Sequence, residues 1–344
     1  MATLLYAGHC AFFNHFYSDM PVLDSLYSFA NLAVYPLYYV FIVSMTSPES
    51  HLRHTWLYFI PSAVIGIMVS AIYVMMSSQE LDSFVRIISY NEEYGSGTGL
   101  CKMMGYVRLV AKVVFAIEVV AVLYAGSRKI SAYNKSIEAY YADTEGKKLT
   151  AFQWFMYLFS ACSIASIIFN FIGRSSFDGS AWMMAIPSLI FSSLLFGLGF
   201  IGFRQSFTID HFEQEESADE IILETALVRK QERPLVERIE EVVTKRQLYL
   251  RHNLKVSDVA KELGTNRLYV STAINEEMGI SFSDYINKKR VNHAIHLMRT
   301  NTQMTMYEIA DLSGFSSDKS FYRNFKNITG KSPKEIRETD VECE

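Results

Sequence analysis

The sequence predicts an all-α chain in two parts, a polytopic transmembrane helix bundle followed by a C-terminal module of short amphipathic helices. Three observations carry that prediction. Four long windows contain no charged residue. After Arg204 charges return every few residues. Beyond Pro234 apolar residues recur at helical spacing, interrupted by glycine and small polar residues. Half of the 344 residues are hydrophobic and only 20% are charged, a mixture that makes sense once the two parts are separated.

Crossing ~30 Å of hydrocarbon takes about 20 helical residues. The uncharged windows are 25–48, 54–79, 149–173 and 179–203, each long enough to span and rich in Leu, Ile, Val, Phe and Tyr. A fifth apolar run, about 104–126, carries Arg108, Lys112 and Glu118. Spans are therefore expected at about 25–46, 55–77, 104–126, 150–173 and 181–203. Residues 2–18 are also uncharged, but His9, Asn14 and His15 leave a sixth span open. A cleaved leader is disfavoured there, because no basic start precedes the apolar stretch. Pro36, Pro61 and Pro187 fall in or near these runs, which membrane helices tolerate.

Basic residues set the orientation. Arg128, Lys129, Lys135, Lys147 and Lys148 lie between the third and fourth spans, Arg53 between the first two, and Arg204 after the last. The 80–102 connection carries Glu80, Asp82, Glu92 and Glu93 against Arg86 and Lys102. Alternation then puts 49–54, 127–148 and the C-terminal half in the cytoplasm. The expected placement is multi-pass in the inner membrane of a bacterium, with the lipid bilayer as one partner. Arg108 and Lys112, one turn apart, are placed to snorkel toward the outer surface.

Glu118 is the one acid deep in an expected span, and an intramembrane carboxylate is costly. Two readings stay open. It faces the bundle interior as a group that contacts an unknown signal ligand or senses protons, or it is a carboxyl kept neutral or hydrogen-bonded to a Tyr, Ser or Asn such as Asn170.

Residues 205–234 form an acidic juxtamembrane linker. Residues 205–241 hold eleven acids and four bases, a net −7. Within it 221–233 reads as a helix ended by Pro234, either a solvated spacer or a helix that pairs with its copy in a homodimer. The sign then reverses: residues 245–337 hold sixteen bases and nine acids, a net +7, and phosphate attraction acts on such a local balance.

The C-terminal module, 235–344, opens with a helix whose apolar face is Leu235, Ile239, Val242 and Val243. Ser257 is placed to cap the next helix, whose core face is Val259, Ala260 and Leu263. Gly264 supplies the turn and Asn266 caps a further helix with Val270 and Ile274 inward. Arg267, Leu268, Ser271, Thr272 and Asn275 lie on its other side. A short helix, a tight turn and a helix with a polar outer face make a helix-turn-helix, about 256–276. A long helix, roughly Ser283–Arg299, carries Lys288, Lys289 and Arg290. The unit then repeats over about 306–327, with Ile309, Ala310 and Gly314 where Val259, Ala260 and Gly264 stood. Its second helix, about Ser317–Asn327, turns Phe321 and Phe325 inward and Asp318, Lys319, Ser320, Tyr322 and Arg323 outward. Lys326, Lys331, Lys334 and Arg337 lie within reach of phosphates.

From Val256 to Arg337 this spacing resembles the AraC/XylS-type regulators. The residues that carry the resemblance are Ile309-Ala310, Gly314-Phe315-Ser316, Ser320-Phe321, Phe325-Lys326, Gly330 and Pro333, with Gly279-Ile280-Ser281-Phe282, Tyr285 and Arg290 at the join between units. It covers about 100 residues. Asp318 stands where a neutral donor is frequent, and Ile274 replaces a commoner aromatic. The resemblance implies two helices reading successive major grooves of double-stranded DNA, with RNA polymerase as a further partner. It implies Arg267, Leu268, Ser271 and Thr272 for one half of the site, and Asp318, Lys319, Ser320, Tyr322 and Arg323 for the other. Arg323 can grip guanine through two bonds or hold a phosphate, and Leu268 can touch DNA or pack in the core. The membrane part resembles, in layout alone, the multi-span domains of some bacterial regulators of this type.

Nothing in the sequence suggests an enzyme, a cofactor or a metal. Cys10, Cys101, Cys162 and Cys343 form no C-x-x-C pair, and His51/His54 and His293/His296 have no further ligand near in sequence. The functional expectation is a membrane-anchored transcription regulator with a sensing bundle. Two alternatives remain: a passive anchor released by cleavage in the linker, and a transporter-like bundle with a regulatory tail.

Overall fold

Helices account for every named element of the computed structural model, which describes residues 4–5, 20–47, 49–84, 99–172, 189–190, 192–194, 196–197, 199–200, 203 and 234–341. The chain divides into two compact units, Met1–Ser131 with Leu149–Ile209, and Ala132–Lys148 with Asp210–Glu344. The second unit thus takes in a segment from the first half of the sequence as well as the C-terminal module.

In the first unit α1 spans Met20–Thr46 and includes Pro36. A 3-10 stretch, Glu49–Phe59, leads into α2, Ile60–Met75, with Pro61 in its first turn, where its missing N–H leaves no bond unmade. Next come the short α3, Ser78–Ser83, then α4, Leu100–Tyr140, and α5, Thr150–Ile172. Three described stretches are long and apolar enough to cross a membrane: Pro21–Thr46, His54–Met75 and Leu100–Tyr140. Helix α5 forms where the fourth span is expected. The expected spans at 2–18 and 181–203 and the linker helix at 221–233 lie largely or wholly outside the described residues.

Close approach of α1 and α2 depends on Gly66, where a Cβ would sit 3.0 Å from the Cβ of Phe29. A small residue there lets the two helix backbones approach closely. Leu32, Ile65, Val69, Ile72, Phe84 and Met104 bury themselves around this contact. Arg108 finds a partner within the unit. It donates to the Asp24 carboxylate at 2.7 Å, and the Tyr73 hydroxyl donates to the same oxygen at 2.8 Å. The acid that it meets lies at the start of α1. By contrast, large apolar side chains such as Ile67, Val74, Ile117 and Val120 are exposed along α2 and α4.

In the second unit α6 spans Leu235–Lys245 and a 3-10 turn covers Leu248–Leu250. Then follow α7, Val256–Leu263, α8, Arg267–Glu277, and α9, Phe282–Thr300. The last three are α10, Met306–Leu312, α11, Asp318–Thr329, and α12, Pro333–Val341. Boundaries follow the caps. Asn266 accepts from Leu268 N–H, Ser281 from Asp284 N–H, Thr305 from Glu308 N–H and Ser317 from Ser320 N–H. Ser257 is not the cap of α7. The helix begins two residues earlier than that cap would set, at Val256 after Lys255, whose N–H donates to the Asp258 carboxylate, and Ser257 is buried.

Two apolar centres sit either side of α9. Ile239, Val243, Val259, Leu263, Val270, Ile274 and Ile286 are buried around α6–α8. Val291, Ala294, Met298, Ile309, Phe315, Phe321 and Phe325 form the second cluster. Arg290 lies 1% exposed within α9, unlike its basic neighbour Lys288. Its Nε and Nη2 donate to the carbonyls of Tyr249 and Arg251 at 2.7 and 2.8 Å, and the guanidinium lies 5.6 Å from the Phe315 ring centroid. Burial lowers its pKa to about 10, opposed by the charge of Asp143, so it stays charged at neutral pH. One arginine therefore ties the chain before α7 to the turn after α10.

Candidate nucleic-acid interface

Each helix-turn-helix is built on a left-handed glycine. Gly264 ends α7 at φ +62, and Gly314 follows α10 at φ +81. The turns differ by one residue: α8 starts three residues after Gly264, whereas α11 starts four after Gly314. Packing also differs. A Cβ at Gly264 would meet nothing within 4 Å, but at Gly314 it would lie 2.7 Å from the Leu250 carbonyl oxygen.

Side chains three, four and seven apart share a helix face. On α8 that spacing selects Leu268, Ser271, Thr272 and Asn275. On α11 it selects Lys319, Tyr322, Arg323 and Lys326. The structure exposes these faces: Leu268 is 66% exposed, and Lys319, Tyr322, Arg323 and Lys326 all face solvent, with Ser271 and Thr272 half-buried. The exposure of Leu268 removes the core-packing alternative. Asp318, in the first turn of α11, is exposed as well.

Ser320 stands apart from this group. It is 2% exposed, its N–H donates to Ser317 Oγ, and its own Oγ accepts from Asn324 at 3.2 Å. Its position falls off the face that Lys319, Tyr322, Arg323 and Lys326 share. Tyr269, 59% exposed beside Leu268, is a large side chain at this surface that the sequence reading passed over. Its place next to Leu268 in a helix with Val270 inward was the available sign.

Charged groups on α6 and α9 brace the module. The Glu240 carboxylate on α6 pairs with Lys289 on α9 and accepts from the Tyr285 hydroxyl at 2.7 Å. Partial burial pushes the Glu240 pKa up, but bonds from Lys289 and Tyr285 outweigh it and hold the group below the usual carboxylate range. Burial and Glu240 together raise Tyr285 above an ordinary phenol.

The segment Ala132–Lys148 also reaches this surface. Ser317 donates its hydroxyl to Glu145, and Glu145 Oε1 lies 3.5 Å from Lys319 Nζ. The Arg267 guanidinium lies 5.7 Å from the ring centroid of Tyr140. Among the described residues no group of His, Cys, Asp and Glu is placed to hold a metal ion. Glu118 lies in the first unit, and its buried carboxylate oxygens have no hydrogen-bond partner among the described residues.

Residues 259–339 match the helix-turn-helix domain family. An uncharacterised HTH-type transcriptional regulator of Staphylococcus aureus is 32% identical over 101 residues, which are 29% of this chain and 13% of that protein. The Msm operon regulatory protein of Streptococcus mutans is 33% identical over 85 residues, 25% of this chain and 30% of that one. Both matches thus span well under half of the relative's length. Among solved structures, the C-terminal domain of AraT, a response regulator from Geobacillus stearothermophilus, is 29% identical. It covers 32% of this chain and 88% of its own, with a TM-score of 0.29. The C-terminal module of this chain is a helix-turn-helix domain of the AraC type.

Proposed function

We propose that the chain is a membrane-anchored, sequence-specific DNA-binding transcription regulator. The observation that carries the DNA part is the pair of exposed faces, one on each second helix of two tandem helix-turn-helix units, in a stretch, 245–337, of net charge +7. Such helices enter the major groove and read base edges, while surrounding lysines position the protein on phosphates. Leu268, Ser271, Thr272 and Asn275 with Arg267 read one half-site. Lys319, Tyr322, Arg323 and Lys326 with Asp318 read the other, and Ser320 supports its helix from within. Arg323 is the residue assigned to guanine, since its guanidinium can bond O6 and N7 together.

Membrane anchoring is supported by the three stretches long enough to span and by the apolar side chains exposed along α2 and α4. A water-soluble unit would bury such side chains. The basic residues between α4 and α5 support a cytoplasmic C-terminal module. Glu118, without a hydrogen-bond partner among the described residues, is the group proposed to respond to a signal ligand. Dimerisation, through pairing of the 221–233 segment with its copy, and contact with RNA polymerase, from the family resemblance, belong to the same proposal.

The test is selection of duplexes from a random pool by the purified full chain in lipid nanodiscs. Enrichment of one bipartite site is the expected result. Replacing Arg323 by Ala should then cost about 1–3 kcal/mol on the selected site and less on random DNA. Failure to enrich any sequence would remove sequence-specific reading. Equal losses on both duplexes would make Arg323 a phosphate contact.

A further inference from the structure

We propose that residues 140–148 carry an internal competitor for DNA, with the Glu145 carboxylate standing where a backbone phosphate would meet the entry of the second reading helix. The proposal rests on the DNA reading above and adds its regulation.

The segment is built into the module. Ala142 N–H donates to the Leu254 carbonyl at 2.9 Å, and the Ala142 carbonyl accepts from Ser283 Oγ at 3.0 Å and Asn287 Nδ2 at 3.1 Å. Tyr141 and Lys255 form an antiparallel bridge. Tyr141, Ala142, Asp143 and Thr144 are buried, so these bonds are made away from competing water. A tight turn follows. Asp143 Oδ1 accepts from Glu145 N–H at 3.2 Å, the Lys147 N–H donates to Thr144 O at 3.2 Å, and Gly146 takes φ +73.

That turn delivers the Glu145 carboxylate to the start of α11. There it accepts from Ser317, the N-cap, and faces Lys319 Nζ at 3.5 Å. A helix N-terminus with an adjacent lysine favours an anion, and in a DNA complex the anion at hand is a phosphate. Glu145 supplies the anion from within the chain. At the other reading helix, Tyr140 places its ring under Arg267, the first residue of α8. One short segment thus engages the entry of both reading helices and two of the cations assigned to DNA. Because Lys319 is 82% exposed, its ion pair is weak enough for DNA to exchange.

The experiment uses the full chain in nanodiscs with a random-sequence duplex at low salt. Glu145→Gln should tighten binding about two- to fivefold, the range of one exposed ion pair. Glu145→Lys should tighten it further. Glu237→Gln, the same charge change at an exposed site on α6, should leave affinity unchanged. Carbodiimide coupling gives a second readout: it should join Glu145 to Lys319 in the free chain and lose yield when duplex is saturating. Equal affinities for Glu145→Gln and Glu237→Gln, or a cross-link indifferent to DNA, would overturn the proposal while leaving DNA reading intact. Absence of duplex binding by every chain would instead overturn the DNA reading, and the proposal with it.

Discussion

Replacing Gly314 by Ala perturbs a position with two separate constraints. Its φ of +81 lies in the left-handed region, where an L side chain costs roughly 1–2 kcal/mol. A Cβ there would also stand 2.7 Å from the Leu250 carbonyl oxygen and 2.8 Å from that residue's Cα, both backbone atoms that cannot rotate away. Forced shifts of a packed neighbour cost about 1–3 kcal/mol, so the sum is about 2–5 kcal/mol. Gly264→Ala is the internal control. It shares the left-handed conformation, at φ +62, but meets nothing within 4 Å, and should cost only the first part, about 1–2 kcal/mol. Hydrogen exchange read by mass spectrometry on peptides of α9 and α11, in the full chain, measures both. The refuting result is equal loss of protection in the two variants, or a larger loss in Gly264→Ala. Either would mean that the Leu250 contact does not constrain the second turn.

Three further outcomes are expected. Arg108→Ala strands the Asp24 carboxylate and should destabilise the first unit by about 3 kcal/mol or more, whereas Asp24→Asn with Arg108→Gln should cost clearly less; thermal melts in detergent compare them. Glu308 and Glu335 are held below the usual carboxylate range by hydrogen bonds from Thr305 and Ser332, as Glu240 is by Lys289 and Tyr285 against its partial burial. Their contribution to the C-terminal module is present above the unfolded carboxylate pKa and fades as pH falls through the folded values, and Glu308→Gln should weaken that acid dependence in exchange measurements. Glu118→Gln should change reporter output across pH or ligand conditions, and identical output throughout would remove Glu118 from sensing.

Much of the C-terminal module is legible in sequence because its information is local. Asn266, Ser317, Gly264 and Gly314 sit within a few residues of the ends they make, and inward apolar residues recur at helical spacing. The same arithmetic points to the exposed faces, and its strict use would have set Ser320 aside. Ser257 is no cap because an Asp at the third position of a helix, here Asp258, can reach back to the N–H of the residue before the helix as well as a serine can cap it. Helix α4 outran its expected end near 126 because hydropathy marks where a helix stays apolar, and Arg128–Tyr140 is helical but polar. Long-range pairings were beyond reach: Asp24 with Arg108, Arg290 with carbonyls of 249 and 251, and Glu145 with Ser317. Each joins positions between 39 and 172 residues apart, and only the fold brings them together.

The one-residue difference between the two turns means that the halves of this module are cousins rather than copies. Their outward faces diverge too, with Leu268, Ser271, Thr272 and Asn275 uncharged on one and Lys319, Arg323 and Lys326 cationic on the other. A chain that reads DNA with such a pair has a head and a tail on the duplex. Its target would be directional instead of palindromic, so a single copy would fix which way it points along a promoter. The two ends would also answer salt differently, the cationic one loosening first as counterions compete.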